Sequence, residues 1–316
     1  MEVHLEWHRL RGRAATAHAV NLVLRQFAAW CAEQQLDPIR LTREQPENYL
    51  VWLSSHARTP TGESLAKTTV EQRIAFLKSF YEWLVERGDI VANPAGKLRM
   101  RVTKSRVVVK DYLSLQEATA LVQTQAEFVL AAKVGSITWA KRFRVLAAVC
   151  LGLATGRRIG GLLAIEVEHL DLERQELRVP KEKGSTGRVL PVAEWAIAVL
   201  RAYVRDARPL LDPGGDQPWL FVGGRGVLTR TALMDALQQL VKRTVVENED
   251  LDELPGKNIT WHSLRVSFAT LLFTNGCPIR SVNELMLHRC LSTTARYTPI
   301  PIEDMHQVWR SAHPRP

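Results

Sequence analysis

Between positions 158 and 297, six polar side chains have the types needed to transfer a phosphoryl group to a tyrosine. They are Arg158, Lys183, His262, Arg265, His288 and Tyr297. Arginines clamp phosphate oxygens through paired N–H donors, a lysine can protonate a departing 5′ oxygen, and histidines can manage the proton of a nucleophile. A tyrosine hydroxyl can then attack the phosphorus. This chemistry needs no metal and no cofactor, and the sequence predicts neither.

The candidate arginines and the first histidine lie in settings that would present them to a ligand. Arg158 follows Thr155-Gly156, where an apolar helix breaks and resumes, so we expect it at a helix start. Its neighbour Arg157 competes for the same role. His262 and Arg265 are three residues apart, so on a helix they share one face and both can point at one phosphate.

Lys183 is predicted to lie in a turn between strands, and Tyr297 at the end of a short helix. Lys183 lies in a glycine-containing turn between two predicted strands, where a long ammonium side chain can reach a groove. Lys181 is the alternative, because it faces the same side. Tyr297 follows a Ser-Thr-Thr helix start and precedes a Thr-Pro pair that stops a helix. The tyrosine is therefore expected at the end of an element rather than within a core.

Residues 1–96 predict a small helical bundle, and residues 97–110 a basic linker. Apolar residues recur at helical spacing in three runs, Thr42 and Gln45 are spaced as a capping box, and Gly88 is a natural stop for the third run. The linker contains six cationic residues and no acidic one, namely Lys97, Arg99, Arg101, Lys104, Arg106 and Lys110. A solvated tether is one interpretation, and a strap along a DNA backbone is the one we favour.

Residues 111–316 predict a second domain, and the fold class is mainly α with a small three-stranded antiparallel sheet. Ser114 and Glu117 are spaced as a capping box at its first helix. Short, partly alternating segments rich in β-branched residues predict strands at 166–172, 176–179 and 188–192. Later helices are expected at about 229–247, 262–275, 279–287 and 292–297.

The charge balance favours a polyanionic partner. Lys and Arg total 42 against 33 Asp and Glu, which gives a formal charge of +9. Neutralising phosphates releases counterions from nucleic acid, so an excess of cations favours DNA binding. An anionic membrane surface is the rival, but no apolar run approaches the roughly 20 residues that span a bilayer. Residues 1–13 also lack the apolar core of a signal peptide.

The cysteines indicate a reducing compartment. Cys31, Cys150, Cys277 and Cys290 are widely scattered, without the short spacing of zinc or redox sites. We expect reduced thiols that are mostly buried, as free cysteines usually are.

The six residues stand in the order and at the spacing of the tyrosine recombinase (phage integrase) family. The segment from Leu287 to Tyr297 resembles that family's His-to-Tyr signature, and the first 96 residues resemble its helical core-binding, SAM-like domain. The likeness is greatest to Xer-like recombinases and mobile-element integrases. Three positions depart from the pattern. Gly161 stands where an acidic residue is frequent, Leu287 where glycine is usual, and Val266 where histidine is frequent.

This resemblance implies a cytoplasmic, nucleoid-associated enzyme that recombines specific sites in double-stranded DNA. It would form a 3′-phosphotyrosyl intermediate, exchange strands through a Holliday junction and act as a tetramer on DNA, with an accessory or partner recombinase as a further partner. Residues 302–312 resemble the tail that docks on a neighbouring protomer, and a closing helix on the chain's own domain is an equal reading. Two other classes stay open, a catalytically silent DNA-binding regulator and a type IB topoisomerase.

Overall fold

The chain divides into two compact units, Met1–Ser105 and Arg106–Pro316. The structure, a computed structural model, describes residues 14–59, 61–98, 111–179, 187–224 and 226–287. Among the helices of these ranges, none has the length and apolar character needed to cross a bilayer.

Unit 1 is a helical bundle with an aromatic core. Its helices are α1 (Ala14–Glu33), α2 (Glu44–Ser55) and α3 (Lys67–Glu86). Phe27 of α1 meets Tyr49 of α2 edge to face, with ring centroids 4.8 Å apart. The Tyr81 hydroxyl donates to the Pro38 carbonyl oxygen at 2.7 Å. The predicted capping box at Thr42 is half formed, because the Thr42 backbone N–H donates to Gln45 Oε1 at 2.9 Å, whereas the Thr42 hydroxyl bonds to the same oxygen instead of capping the helix.

The segment after α3 is fastened to that helix by polar contacts. Gly88 has φ +79°, as the predicted helix stop requires. The Asn93 amide donates to the Lys78 carbonyl oxygen at 3.1 Å, and the Lys78 ammonium donates to the Leu98 carbonyl oxygen at 2.5 Å. Leu98 is itself buried in the bundle core. The packed part of unit 1 therefore reaches residue 98, two positions beyond the predicted boundary at 96.

Unit 2 is built around one buried helix. Its helices are α4 (Leu115–Leu130), α5 (Ile137–Thr155), α6 (Ile159–Leu163), α7 (Glu194–Ala202), α8 (Arg208–Leu211), α9 (Arg230–Glu247), α10 (Trp261–Thr274) and α11 (Ile279–Leu285). A π-helical turn, Tyr203–Ala207, joins α7 to α8. Residues 146–155 of α5 are all buried. The predicted helices at 229–247, 262–275 and 279–287 are present with small shifts of their ends, and 292–297 lies outside the described residues.

The predicted three-stranded antiparallel sheet is present in the order β1–β2–β3. The strands are β1 (Leu170–Asp171), β2 (Glu176–Val179) and β3 (Arg188–Pro191). The first predicted strand is mostly wrong, since a 3-10 turn occupies Val167–His169. His169 Nδ1 accepts the Glu166 backbone N–H at 3.1 Å, which satisfies a group that a strand would have paired. A second hairpin, β4 (Val222–Gly223) with β5 (Gly226–Val227), was not predicted.

The cysteines that the structure describes are unbridged thiols. Cys31 and Cys150 are buried, as predicted, and Cys277 is partly exposed. Burial raises the pKa of the Cys31 thiol to about 11 and that of Cys150 to about 12. Both thiols are therefore protonated and unreactive at neutral pH. Cys290 lies outside the described residues.

A buried ion pair joins the start of α4 to the segment before α10. Ser114 and Glu117 form the predicted capping box, with the Ser114 backbone N–H donating to Glu117 Oε2 at 2.7 Å. The same carboxylate accepts from the Lys257 ammonium at 2.8 Å, and its side chain is only 5% exposed. Lys257 also reaches the exposed Glu253 at 3.1 Å.

We expect Lys257→Met to destabilise unit 2 by about 3 kcal/mol, because it leaves a carboxylate buried without its cation. Glu253→Gln, which removes only the exposed partner, should change stability by less than about 0.5 kcal/mol.

Burial lowers the Lys257 pKa, but the hydrogen bonds to Glu117 and Glu253 outweigh it and raise that pKa above its ordinary 10.5. The pair should therefore stabilise the fold below pH 10.5 and weaken above it. Urea denaturation of both variants from pH 7 to 11 measures this, and equal losses would contradict it.

Candidate active site

The end of α5 presents Arg158 to solvent. The helix stops at Thr155, Gly156 takes the left-handed conformation with φ +59°, and its N–H donates to the Gly152 carbonyl oxygen. The chain then extends through Arg158, which precedes α6 as its N-cap residue with φ −65° and ψ 147°. Arg158 is exposed and Arg157 is buried. The predicted helix break therefore has the expected geometry, and Arg158 rather than Arg157 is open to a ligand.

The first turn of α10 holds His262. Thr260 and Ser263 form a reciprocal cap, with the Thr260 N–H donating to Ser263 Oγ at 3.0 Å. The buried Trp261 lies against the bare backbone of Gly152, where an added Cβ would stand 3.0 Å from its ring. His262 follows directly and is half-buried. The cap and the tryptophan contact therefore fix the segment that carries this histidine.

Arg265 is a buried clamp on two backbone carbonyls. Its side chain is on α10 and the residue is 2% exposed. Nη1 donates to the Gly156 carbonyl oxygen at 2.5 Å and Nη2 to the Met286 carbonyl oxygen at 2.6 Å. One guanidinium thus links the turn that leads to Arg158 with the turn that leads to His288. At least two of the five N–H donors of Arg265 thus bind the protein itself, and the joint action of His262 and Arg265 on one phosphate stays a prediction.

Leu287 has an unusual backbone conformation at the end of α11. Its φ is +53°, which favours glycine, and it is the position where the resemblance leads one to expect glycine. The side chain packs, partly buried, against the main core of unit 2. Packing therefore holds a leucine in a strained conformation one residue before His288.

We expect Leu287→Gly to be more stable than Leu287→Ala by about 1 kcal/mol, because both remove the packed side chain but only alanine keeps the left-handed strain. At Leu285, the last residue of α11, the order should be reversed by up to about 1 kcal/mol, because alanine is the better helix former. Urea denaturation of the four variants gives both differences. The account of Leu287 is wrong if alanine is at least as stable as glycine there.

Most of the remaining predicted site residues lie outside the residues that the structure describes. β2 and β3 pair with Val179 opposite Arg188, which sets the base of the hairpin whose connecting residues include Lys183. Lys183, its alternative Lys181, His288 and Tyr297 lie outside the described residues.

Of the linker cations, Lys97 is exposed. The other five lie outside the described residues, namely Arg99, Arg101, Lys104, Arg106 and Lys110. Val266, on α10, is 1% exposed. The histidine that is frequent at this position in the family would need a polar partner in such a buried place.

One group of potential metal ligands occurs in the described residues. Ligand atoms of Glu166, Glu168 and His169 all lie within 4.8 Å of one another. His169 Nδ1 already accepts a backbone N–H, and Glu168 is exposed. These are the contacts of a capped surface turn, and a metal-free site stays the prediction.

Sequence reasoning missed the contacts that assemble this site. Phe268 against Gly156 and the two carbonyls held by Arg265 join segments far apart in the chain. The Thr155-Gly156 pair marked the helix break, but no local pattern identified its partners. Among the described residues the candidate site thus includes an exposed arginine and a half-buried histidine at a capped helix start, and both are residue types that can bind a phosphate.

Comparisons with known proteins agree on one family. The model described as the phage integrase family matches residues 113–301. The tyrosine recombinase XerC of Mycobacterium sp. (strain KMS) is 33% identical over 265 residues, which are 84% of this chain and 81% of that protein.

Solved structures share the fold. One is the XerH site-specific recombinase bound to a palindromic difH substrate in a post-cleavage complex, with 17% identity, a TM-score of 0.69, and coverage of 95% of this chain and 79% of that one. Another is the Tn1549 transposon integrase in complex with transposon right end DNA, with 17% identity, a TM-score of 0.66, and coverage of 98% and 99%.

Proposed function

Because this chain belongs to the phage integrase family, the tyrosine recombinases, we propose that it breaks and rejoins DNA at specific sites through a covalent bond to Tyr297. The observation that carries this proposal is Arg158, exposed at the start of α6 on a turn that Arg265 binds to α10. The family match extends from the capping box of α4 past Tyr297, so it includes all six candidate residues.

In the cleavage step, the Tyr297 hydroxyl oxygen attacks the scissile phosphorus and the bond to the 5′ oxygen breaks. A tyrosine hydroxyl has a pKa of about 10, so it needs a base, and His262 accepts its proton. Lys183 gives a proton to the departing 5′ oxygen. The 3′ phosphate stays joined to Tyr297. Attack by a 5′ hydroxyl from another strand reverses these transfers and rejoins DNA without an energy source.

Cations stabilise the charge that builds up on the non-bridging oxygens. Arg158 is exposed and can bind them in two-pronged fashion. Arg265 adds its charge where the Gly156 and Met286 segments meet, while its hydrogen bonds hold both segments in place. His288 donates to a non-bridging oxygen. Arg158 thus binds the phosphate, whereas Arg265 both contributes positive charge and holds the backbone of the site in place.

The partner is double-stranded DNA carrying a recombination site, and four protomers exchange strands in pairs through a Holliday junction. The XerH and Tn1549 proteins were each solved with DNA, and their likeness to nearly the whole chain supports such a partner. The basic linker is proposed to lie along the DNA backbone, and the enzyme to work in the cytoplasm at the nucleoid. An accessory or partner recombinase is a further proposed partner.

Two biological roles use this chemistry, resolution of joined circles in the manner of Xer recombinases and integration or excision of a mobile element. Relatives named as recombinases support either role over a silent regulator or a topoisomerase. The test is a supercoiled plasmid with two direct copies of a candidate site taken from the DNA beside the gene. A recombinase gives two smaller circles only when both sites are present. A topoisomerase relaxes plasmids with or without sites, and a regulator binds the site and leaves the plasmid unchanged.

A further inference from the structure

The guanidinium of Arg157 lies directly on the backbone of Gly161. A Cβ added to Gly161 would stand 2.6 Å from Nη2, 3.1 Å from Cζ and 3.3 Å from Nε of Arg157. A separation below 3.0 Å is a steric clash for carbon and nitrogen, so no side chain fits at position 161 while Arg157 keeps its place. Arg157 is 9% exposed, so its guanidinium is packed within the protein rather than extended into solvent.

This contact spans the residue that meets the phosphate. Arg157 precedes Arg158, and Gly161 is the third residue of the five-residue helix α6 that Arg158 opens. The Arg158 side chain does not cap that helix, although its backbone carbonyl oxygen accepts the Leu162 N–H at 2.9 Å. The guanidinium of Arg157 therefore lies against α6, the helix that follows Arg158.

We propose that Arg157 is a positioning residue for Arg158, and that position 161 is glycine because the Arg157 guanidinium occupies its side-chain volume. The proposal rests on the proposed function, since its role is to orient the arginine that binds the scissile phosphate. It also explains one of the three departures from the family pattern. A carboxylate on residue 161 would need the space that Arg157 fills, so arginine at 157 and glycine at 161 form a matched pair.

Gly160 provides the matched control. It lies on the same short helix, and a Cβ there would meet only the far end of the exposed Arg230 side chain, with Nη2 at 3.2 Å. Neither glycine has a positive φ. Alanine is the better helix former, so propensity alone predicts that Gly160→Ala and Gly161→Ala are equally harmless.

The experiment measures single-turnover cleavage of a nicked duplex and, separately, the dissociation constant for that duplex. We expect Gly161→Ala to slow cleavage about tenfold or more, because small displacements of a catalytic group are costly, with less than about twofold change in binding. Gly160→Ala should stay within about twofold of wild type in both readouts. Equal cleavage rates for the two alanine variants would overturn the proposal.

A double substitution separates positioning from general damage. Arg157→Leu should slow cleavage as Gly161→Ala does, and Arg157→Leu with Gly161→Ala should be no slower than Arg157→Leu alone, because no guanidinium is left to displace. Multiplied losses in the double variant would show that the two residues act independently and would refute the pairing. Thermal melting confirms that each variant is folded, and if Arg157→Leu is not, the two alanine variants still decide. Cleavage by wild type tests the proposed function itself, so its failure is distinct from equal behaviour of the variants.

Discussion

Gly156→Ala will destabilise unit 2 by about 3 kcal/mol and abolish DNA cleavage, because alanine meets two obstacles at this position. The left-handed conformation at φ +59° costs a residue with a Cβ about 1 kcal/mol. The new Cβ would also stand 2.4 Å from Cδ1 of Phe268, so the Phe268 ring or the Gly156 turn must shift. Overpacking of this kind costs about 1–3 kcal/mol. We expect part of this shift to displace the turn that carries Arg158.

Gly88→Ala isolates the backbone part of that loss. Gly88 also has positive φ, +79°, but no atom lies within 4 Å of its added Cβ. We expect a loss of about 1 kcal/mol there, measured by urea denaturation. Gly156→Ala combined with Phe268→Leu should recover part of the difference. If Gly156→Ala costs no more than Gly88→Ala, the packing of Phe268 on this turn is not a constraint.

Arg265→Lys will slow cleavage by at least about 100-fold, because a lysine cannot bridge two carbonyls and misplaced catalytic groups are costly. In the native protein the two guanidinium arms hold the Gly156 and Met286 carbonyl oxygens at 2.5 and 2.6 Å. A buried carbonyl left unpaired costs about 1–3 kcal/mol, so stability should also fall by about 2 kcal/mol. The loss of stability measures the two lost carbonyl hydrogen bonds. The rate of single-turnover cleavage measures the combined effect of these lost bonds and of the displaced positive charge.

Arg280→Lys is the matched control on α11. The Arg280 side chain is 88% exposed and pairs only loosely with Glu284, at 3.7 Å. We expect less than about 0.5 kcal/mol of change in stability and no change in cleavage. Wild-type stability of Arg265→Lys would show that the two carbonyls do not depend on the guanidinium.

Local patterns in the sequence were sufficient for the elements that local contacts build. The Ser114 and Glu117 box and the break at Gly156 both appear where the residues predict them. The sheet was predicted from its alternation, but its first strand is shortened by a capped turn that competes for the same residues. Strands β4 and β5 have two residues each, too few for any period to show.

The site was predicted in its residue types and only partly in its geometry. Arg158 was expected at a helix start, and it is there. The partners of Arg265 are 109 and 21 residues away, and no local pattern specifies such contacts. Leu287 was visible as a departure from the family pattern, but its left-handed backbone was not, since leucine gives no signal for that conformation. Tertiary packing decides these features.

The most direct test of the account is trapping of the covalent intermediate. In a nicked duplex, cleavage releases the short fragment that carries the new 5′ hydroxyl, so the strand cannot be rejoined and a protein–DNA adduct accumulates. Wild type and Tyr297→Phe should bind duplexes carrying candidate sites from the flanking DNA with equal affinity. We predict an adduct with wild type and none with Tyr297→Phe. A duplex that wild type binds tightly and specifically without forming an adduct, or an adduct that persists in Tyr297→Phe, would contradict cleavage by this tyrosine.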